Sequence, residues 1–139
     1  MPDAPLIHVV GGGLAGSEAA LQLADRGHRI VLHEMRGVRP TEAHRTDGLA
    51  ELVCSNTFKS ERTDTASGAF KQELDHLGSR LLPLAREARV PGGHALALDR
   101  EVFSALVTGA VESETAIEVR REEVLAPDDS GPWILATGP

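Results

Sequence analysis

The sequence predicts an α/β fold, a Rossmann-like domain on a parallel sheet, apparently incomplete. Three observations carry this. The apolar run Leu6–Val10 stops at three glycines and opens a stretch with helical periodicity. A second apolar run, Arg29–Glu34, follows directly, so the two runs and the helix between them read as a βαβ unit over residues 6–34. A late strand and its exit loop, Trp133–Pro139, arrive with no helix behind them, whereas a parallel sheet needs both faces covered. The chain therefore reads as the front part of a larger protein.

The elements follow in order. Leu6–Val10 is short and apolar, as a buried strand is. From Leu14 to Arg26, Ala15, Ala19, Ala20, Leu23 and Ala24 recur at helical spacing, and Gly27 ends the helix. Residues 36–65 dissolve into Pro, Gly, Thr and charge and read as an extended loop with at most short helices; a loop of that length is a functional candidate. Residues 66–139 carry helical and strand segments. Ser67–Val90 has helical periodicity twice, with breaks marked by Gly78 and Pro83. His94–Asp99 reads as a strand, and Arg100–Ser113 as a helix with Val102, Leu106 and Val107 on one face. Ile117–Val124 reads as another strand, and Pro127–Pro132 as a turn before the last.

Composition narrows the function. At 139 residues the chain can form one domain with a sizeable core, and 41% apolar with 25% charged residues is ordinary for a soluble globular protein. Aromatics make up 3%, with no Tyr, which argues against a base-stacking platform. A net charge of −7 argues against a general nucleic-acid clamp. The single cysteine, Cys54, excludes an internal disulfide framework or a multi-thiolate metal centre and fits a reduced, cytoplasmic setting. The start, MPDAPLIHVV, lacks the basic and apolar regions of a signal peptide. No apolar stretch approaches the length needed to span a membrane.

Gly11, Gly13 and Gly16 form G-x-G-x-x-G between a strand and a helix. Gly11 permits the tight turn, Gly13 lets backbone approach a pyrophosphate, and Gly16 lets the helix pack closely on the strand. With Gly12, Leu14 and Ala15 they surround a helix N-terminus whose free N–H groups and dipole favour phosphate. Glu34 closes the second strand, where a carboxylate accepts from ribose hydroxyls and repels a 2′-phosphate. The expected ligand is a dinucleotide without that phosphate, and Glu34 alone fits FAD or NAD.

Cys54 admits two readings. A thiolate can add to C6 of a uracil and so activate C5, and an acid or base can later remove the C5 proton; a thiol of lowered pKa suits either role, with Ser55 and Asn56 as hydrogen-bonding support and Lys59 favouring the charge. A lone cysteine after Leu52 and Val53 also suits an inert, buried small hydrophobe. His28 and His33 flank the second strand and His44 and His94 lie in polar loops; none of the six histidines sits at metal-ligand spacing with Cys54, most read as surface or hydrogen-bonded loop residues, and no metal site is expected. Arg36, Arg39, Arg45, Lys59 and Arg62 are diluted by Glu42, Asp47, Glu51 and Glu61 and suit a solvated loop as well as an RNA contact.

The stretches GGGLAGSEAALQLADRG, LHEMR, HRTDGLAELVCSNTFKS, ALALDREVFSALVT and ATGP, in this order, resemble the folate- and FAD-dependent tRNA (uracil-5-)-methyltransferase family over essentially the whole chain. The glycine loop also resembles the glucose-inhibited-division flavoprotein that modifies the tRNA wobble uridine, which lacks the HEMRP-type and ELVCSN stretches. The resemblance implies an N-terminal part of the FAD-binding domain of a two-domain flavoprotein. It implies FAD as cofactor, with methylenetetrahydrofolate and NAD(P)H as co-substrates and a T-loop uridine of tRNA as the methylated target. DNA and membrane partners are not expected. It assigns Cys54 to catalysis and Thr137 and Gly138 to the return of the chain toward FAD. It gives Arg36, in an approximate HEMRP motif, a contact at the adenosine end, and Val124, at the end of its strand, a backbone pairing with adenine. A second catalytic cysteine is expected in a later segment, so this chain alone is expected not to methylate tRNA. Competing readings are another FAD-dependent oxidoreductase with Cys54 incidental, the wobble-uridine relative, or a non-catalytic FAD-binding fragment.

Overall fold

The computed structural model describes residues 4–138; the Met1–Asp3 start and Pro139 of the exit loop lie outside the described residues. β1 (Leu6–Val10), α1 (Leu14–Asp25) and β2 (Arg29–His33) form the expected βαβ unit. Gly27 takes φ +81° just past the helix and turns the chain into β2. β6 (Ile117–Arg120) and β7 (Trp133–Leu135) complete a four-stranded, wholly parallel sheet in the order β6-β2-β1-β7. The strand order is that of a Rossmann half, with the chain leaving β1 toward β2 on one side and returning to β7 on the other.

Period-two alternation divides the sheet. Val9, Ile30, Leu32 and Ile117 are buried in the core shared with α1 and with α4 (Arg100–Ser113), and Ile7 is buried on the same side of the sheet. His8, Val31, His33 and Trp133 stand on the opposite face, as the strand register requires. Asp99 caps α4, its carboxylate accepting from Glu101 and Val102 N–H at 3.0 Å each. The cap sets the helix phase, so the buried stripe is Phe103, Val107 and Val111; Val102, expected on that face, is exposed.

Between β2 and β6 the structure departs from the sequence reading. Residues 36–65 are not loop throughout: Thr57–Ser60 is β3, which pairs antiparallel with β5 (Ala95–Leu98), itself paired with β4 (Arg89–Val90). This second sheet, β3-β5-β4, draws Arg89 and Val90 out of the helical stretch in which the periodicity had placed them. α2 (Ala66–His76) begins at Thr65, whose side chain accepts from Gly68 N–H, and ends before Gly78 at φ +76°. Pro83 does not break a helix. It lies in the first turn of α3 (Leu81–Glu87), where its missing N–H leaves no bond unmade. The N-terminus of α3 is capped from α1: Glu18 accepts from the N–H groups of Arg80 (2.8 Å) and Leu81 (2.9 Å) and from Ser79 Oγ (2.9 Å). The strand read as Ile117–Val124 ends at Arg120, and residues beyond it form a crossover segment to β7.

Candidate functional site

β1 and β7 lie side by side at the switch point of the sheet, beyond whose carboxyl ends open α/β folds form their ligand crevice. A cavity of about 650 Å³ opens there, and its wall includes Gly11–Ala15, Glu34, Arg36, Cys54, Val124 and Ala136–Gly138.

Each glycine has a separate reason. Gly11 takes φ +101°, and a Cβ there would lie 2.1 Å from the carbonyl oxygen of Ala136. The turn after β1 and the exit from β7 are thus pressed together, Ala136 N–H donating to Val10 O at 2.8 Å. A Cβ on Gly16 would lie 1.7 Å from Gly11 O, which makes close helix–strand packing its requirement. Gly13 is the opposite case: nothing in the fold approaches its Cβ position within 4 Å. It is the N-cap of α1, without a side-chain cap and with no acid in the first turn. Among the described residues the N–H groups of Leu14 and Ala15 have no acceptor. Space, free donors and the positive end of the helix dipole together fit a pyrophosphate.

Glu34 is buried, with four protein donors on its carboxylate. Oε2 accepts from Gly12 N–H at 2.8 Å and Arg36 Nη2 at 2.9 Å, and Oε1 from Arg36 N–H at 2.9 Å and Nε at 3.0 Å. Burial alone would raise its pKa; the hydrogen bonds from Arg36 and then Gly12 outweigh it and hold the group below the ordinary carboxylate range. Four bonds fill a carboxylate's usual acceptor sites, so Glu34 braces the glycine turn, and a ribose hydroxyl reaching it must displace an Arg36 bond. Arg36 is itself buried and turns its Nη1 to Glu51 Oε2 at 3.3 Å. Glu51 also accepts from Arg45 N–H, Thr46 N–H and Thr46 Oγ1 at 2.9–3.1 Å. The sequence reading counted Glu51 only as a diluting charge. Its role depends on the 36–56 segment folding back over the turn, which no local spacing encodes.

Cys54 is exposed on the cavity wall rather than buried, so the inert-hydrophobe reading is not met. The supports expected for its thiol are engaged elsewhere: Ser55 Oγ accepts from Thr57 N–H at 3.3 Å, and Asn56 Nδ2 donates to Leu98 O at 3.1 Å. Lys59 takes φ +63° and lines a separate apolar groove between α1 and α2. Val124 lies in the crossover segment, not at a strand end, yet still lines the cavity, and its backbone N–H and C=O are free of partners among the described residues. Thr137 and Gly138 follow β7 on the same wall, Gly138 at φ +65°.

His8, within the first strand, and His33, at the end of the second, are both buried in the sheet. Among the described residues no group of three or more His, Cys, Asp or Glu is disposed to hold a metal ion. Nor is any described helix long and apolar enough to cross a membrane.

A parallel sheet of this order, with a glycine turn at its switch point and a carboxylate at the end of the second strand, defines a Rossmann-like dinucleotide-binding protein. The model of the family "Glucose inhibited division protein A" matches residues 6–139, and the chain belongs to that family. Among curated relatives, the methylenetetrahydrofolate–tRNA-(uracil-5-)-methyltransferase TrmFO of Methylobacterium radiotolerans is 58% identical over 137 residues, covering 96% of this chain and 29% of the relative. The proteins of the same name from Solibacter usitatus (56% over 133 residues) and Azorhizobium caulinodans (57% over 136 residues) cover 96% of this chain each. The chain spans 30% of the first of these two and 29% of the second.

Proposed function

We propose that this chain is the nucleotide-binding part of an FAD-dependent enzyme that methylates uridine in tRNA with methylenetetrahydrofolate as one-carbon donor. The observation that carries the reading is the cavity at the switch point, where the glycine turn and Cys54 share one wall. FAD supplies, when bound, the two-electron redox chemistry that a one-carbon transfer at the methylene level requires.

The chain's own residues do the rest. The N–H groups of Leu14 and Ala15 hold the pyrophosphate, and the openness at Gly13 admits it. Glu34 takes a ribose hydroxyl in exchange for one Arg36 bond, and Arg36 keeps Glu51 as a second partner. The backbone of Val124 pairs with the adenine edge, while Gly11, Gly12 and Gly16 shape the turn and Thr137 and Gly138 border the return of the chain. Cys54 is the nucleophile. Its thiolate forms a bond to C6 of the uracil, which makes C5 nucleophilic; loss of the C5 proton after transfer expels the thiolate. The finer parts of the proposal are the T-loop uridine as target, NAD(P)H as reductant and the cytoplasm as setting.

The test has two parts. The purified 139-residue chain should show flavin absorption that denaturation releases to solution, and it should not methylate tRNA on its own. In a protein of the relatives' full length, Cys54→Ala should abolish methylation while flavin remains bound. Methylation by that variant, or by the 139-residue chain alone, would sink the corresponding part.

A further inference from the structure

A hydrogen-bonded chain of side chains crosses the face of the parallel sheet opposite α1. Glu122 Oε1 meets His33 Nδ1 at 2.7 Å, and His33 Nε2 meets His8 Nδ1 at 2.9 Å. His8 Nε2 meets Ser130 Oγ at 3.0 Å, and Ser130 Oγ donates to Asp128 Oδ1. Both imidazoles are buried, and Trp133 stacks on His8 with ring centroids 4.1 Å apart. The two ends of the chain are carboxylates on the crossover segment between β6 and β7, and Glu122 also lines the cofactor cavity.

Proton counting decides the state of this chain without any choice of tautomer. Four links need four protons, one in each. Two neutral imidazoles and one hydroxyl carry three, and ionised carboxylates carry none. If Ser130 donates to Asp128, His8 must donate to Ser130 and His33 to His8, which leaves His33 Nδ1 without the proton that Glu122 demands. One further proton closes the chain.

We propose that His8 and His33 together hold one extra proton, a single positive charge shared between Glu122 and Asp128, and that this charge fastens the crossover segment to the sheet. Charged groups of both signs face the pair. Burial first, and the His33 ring second, hold His8 below its ordinary value; Asp128 and Glu122 oppose this, and Arg120 on β6 reinforces it. Arg120 is itself engaged by Glu118 on the same strand. Loss of the extra proton breaks one link and loosens one end of the segment that carries Glu122, Glu123 and Val124 into the cavity wall, where Glu122 N–H still donates to Glu34 O at 3.2 Å and Arg39 still pairs with Glu123. This inference goes beyond the proposed activity and requires no particular cofactor.

The test follows the histidine ring nitrogens of the 139-residue chain by NMR, together with amide hydrogen exchange over residues 122–130. Asp128 and Ser130 are exposed, so variants there leave the core intact. At about pH 7 the wild-type pair should carry three ring N–H protons rather than two. When the third is lost at higher pH, exchange in the crossover segment should rise about fivefold to tenfold beyond the intrinsic pH effect, as the loss of one buried hydrogen bond implies. Asp128→Asn can supply the missing proton from an amide nitrogen set in place of the oxygen that accepts both Ser130 Oγ–H and, at 2.9 Å, Ser130 N–H, so the pair should carry only two at about pH 7, with the Ser130 N–H bond given up and exchange in the segment no longer following the pair's proton. Ser130→Ala removes two links and should also leave a neutral pair. Two ring protons in the wild-type pair at about pH 7, or three in Asp128→Asn, would overturn the proposal.

Discussion

Glu34 accepts the N–H of Gly12 at 2.8 Å, so the end of the second strand is tied directly to the turn that follows the first. The acid is part of the turn's construction before it is a partner for any ligand. Glu34→Gln removes the counter-charge from a buried guanidinium that keeps only Glu51 at 3.3 Å. We expect a loss of about 3 kcal/mol in urea unfolding, the range for breaking one side of a buried ion pair. A loss below about 0.5 kcal/mol would show that Arg36 relaxes into solvent instead.

The same carboxylate makes stability depend on pH. Its folded pKa lies below the ordinary 4.5, so it contributes stability above that value, and the contribution is lost as pH falls from about 4.5 through the folded value. Glu18, held low by the α3 N–H groups against its own burial, acts in the same direction. Thermal midpoints measured from pH 6 to pH 3 should therefore fall steeply for the wild type and less steeply for Glu34→Gln. Parallel curves would remove Glu34 from the account of acid sensitivity.

Gly11→Ala and Gly13→Ala should separate folding from binding. At Gly11 an added methyl meets backbone at 2.1 Å and a positive φ, and we expect at least about 2 kcal/mol of destabilisation. At Gly13 the methyl meets nothing in the fold, so thermal unfolding should change by less than about 1 kcal/mol. Flavin affinity should nonetheless drop at least about tenfold, because the space is what phosphate needs. Unchanged affinity in Gly13→Ala would move the pyrophosphate away from α1.

Cys54 should behave as an accessible thiol. In the folded chain a maleimide should modify it at a rate within about tenfold of free cysteine, as expected for an exposed side chain. Added FAD should slow that reaction if the cavity is the flavin site. Cys54→Ala should leave the thermal midpoint within about 1 °C, since no core packing is lost.

The βαβ unit was readable because its signals are local: apolar runs of strand length, alanines at helical spacing and glycines at fixed offsets. The three-stranded antiparallel sheet was not, because Thr57–Ser60 and Arg89–Val90 are short and polar and exist only through pairing with Ala95–Leu98. Pro83 misled because its effect depends on helix phase, which Glu18 sets from another helix. The site divides in the same way. Its glycines and Glu34 stood out by spacing, and Cys54 by its motif. The clamp of Arg36 between Glu34 and Glu51, and the pairing of His8 with His33, arise from loop return and strand register, which single-residue patterns do not carry.

Gly11 rests against Ala136, nearly the whole length of the chain away. On the ribosome, the turn after β1 cannot reach its final shape until Ala136 has followed it. The glycine turn therefore closes only after the chain through β7 has been made, although its glycines precede it. A chain halted anywhere before β7 would carry every glycine of the motif and still lack the wall that closes it.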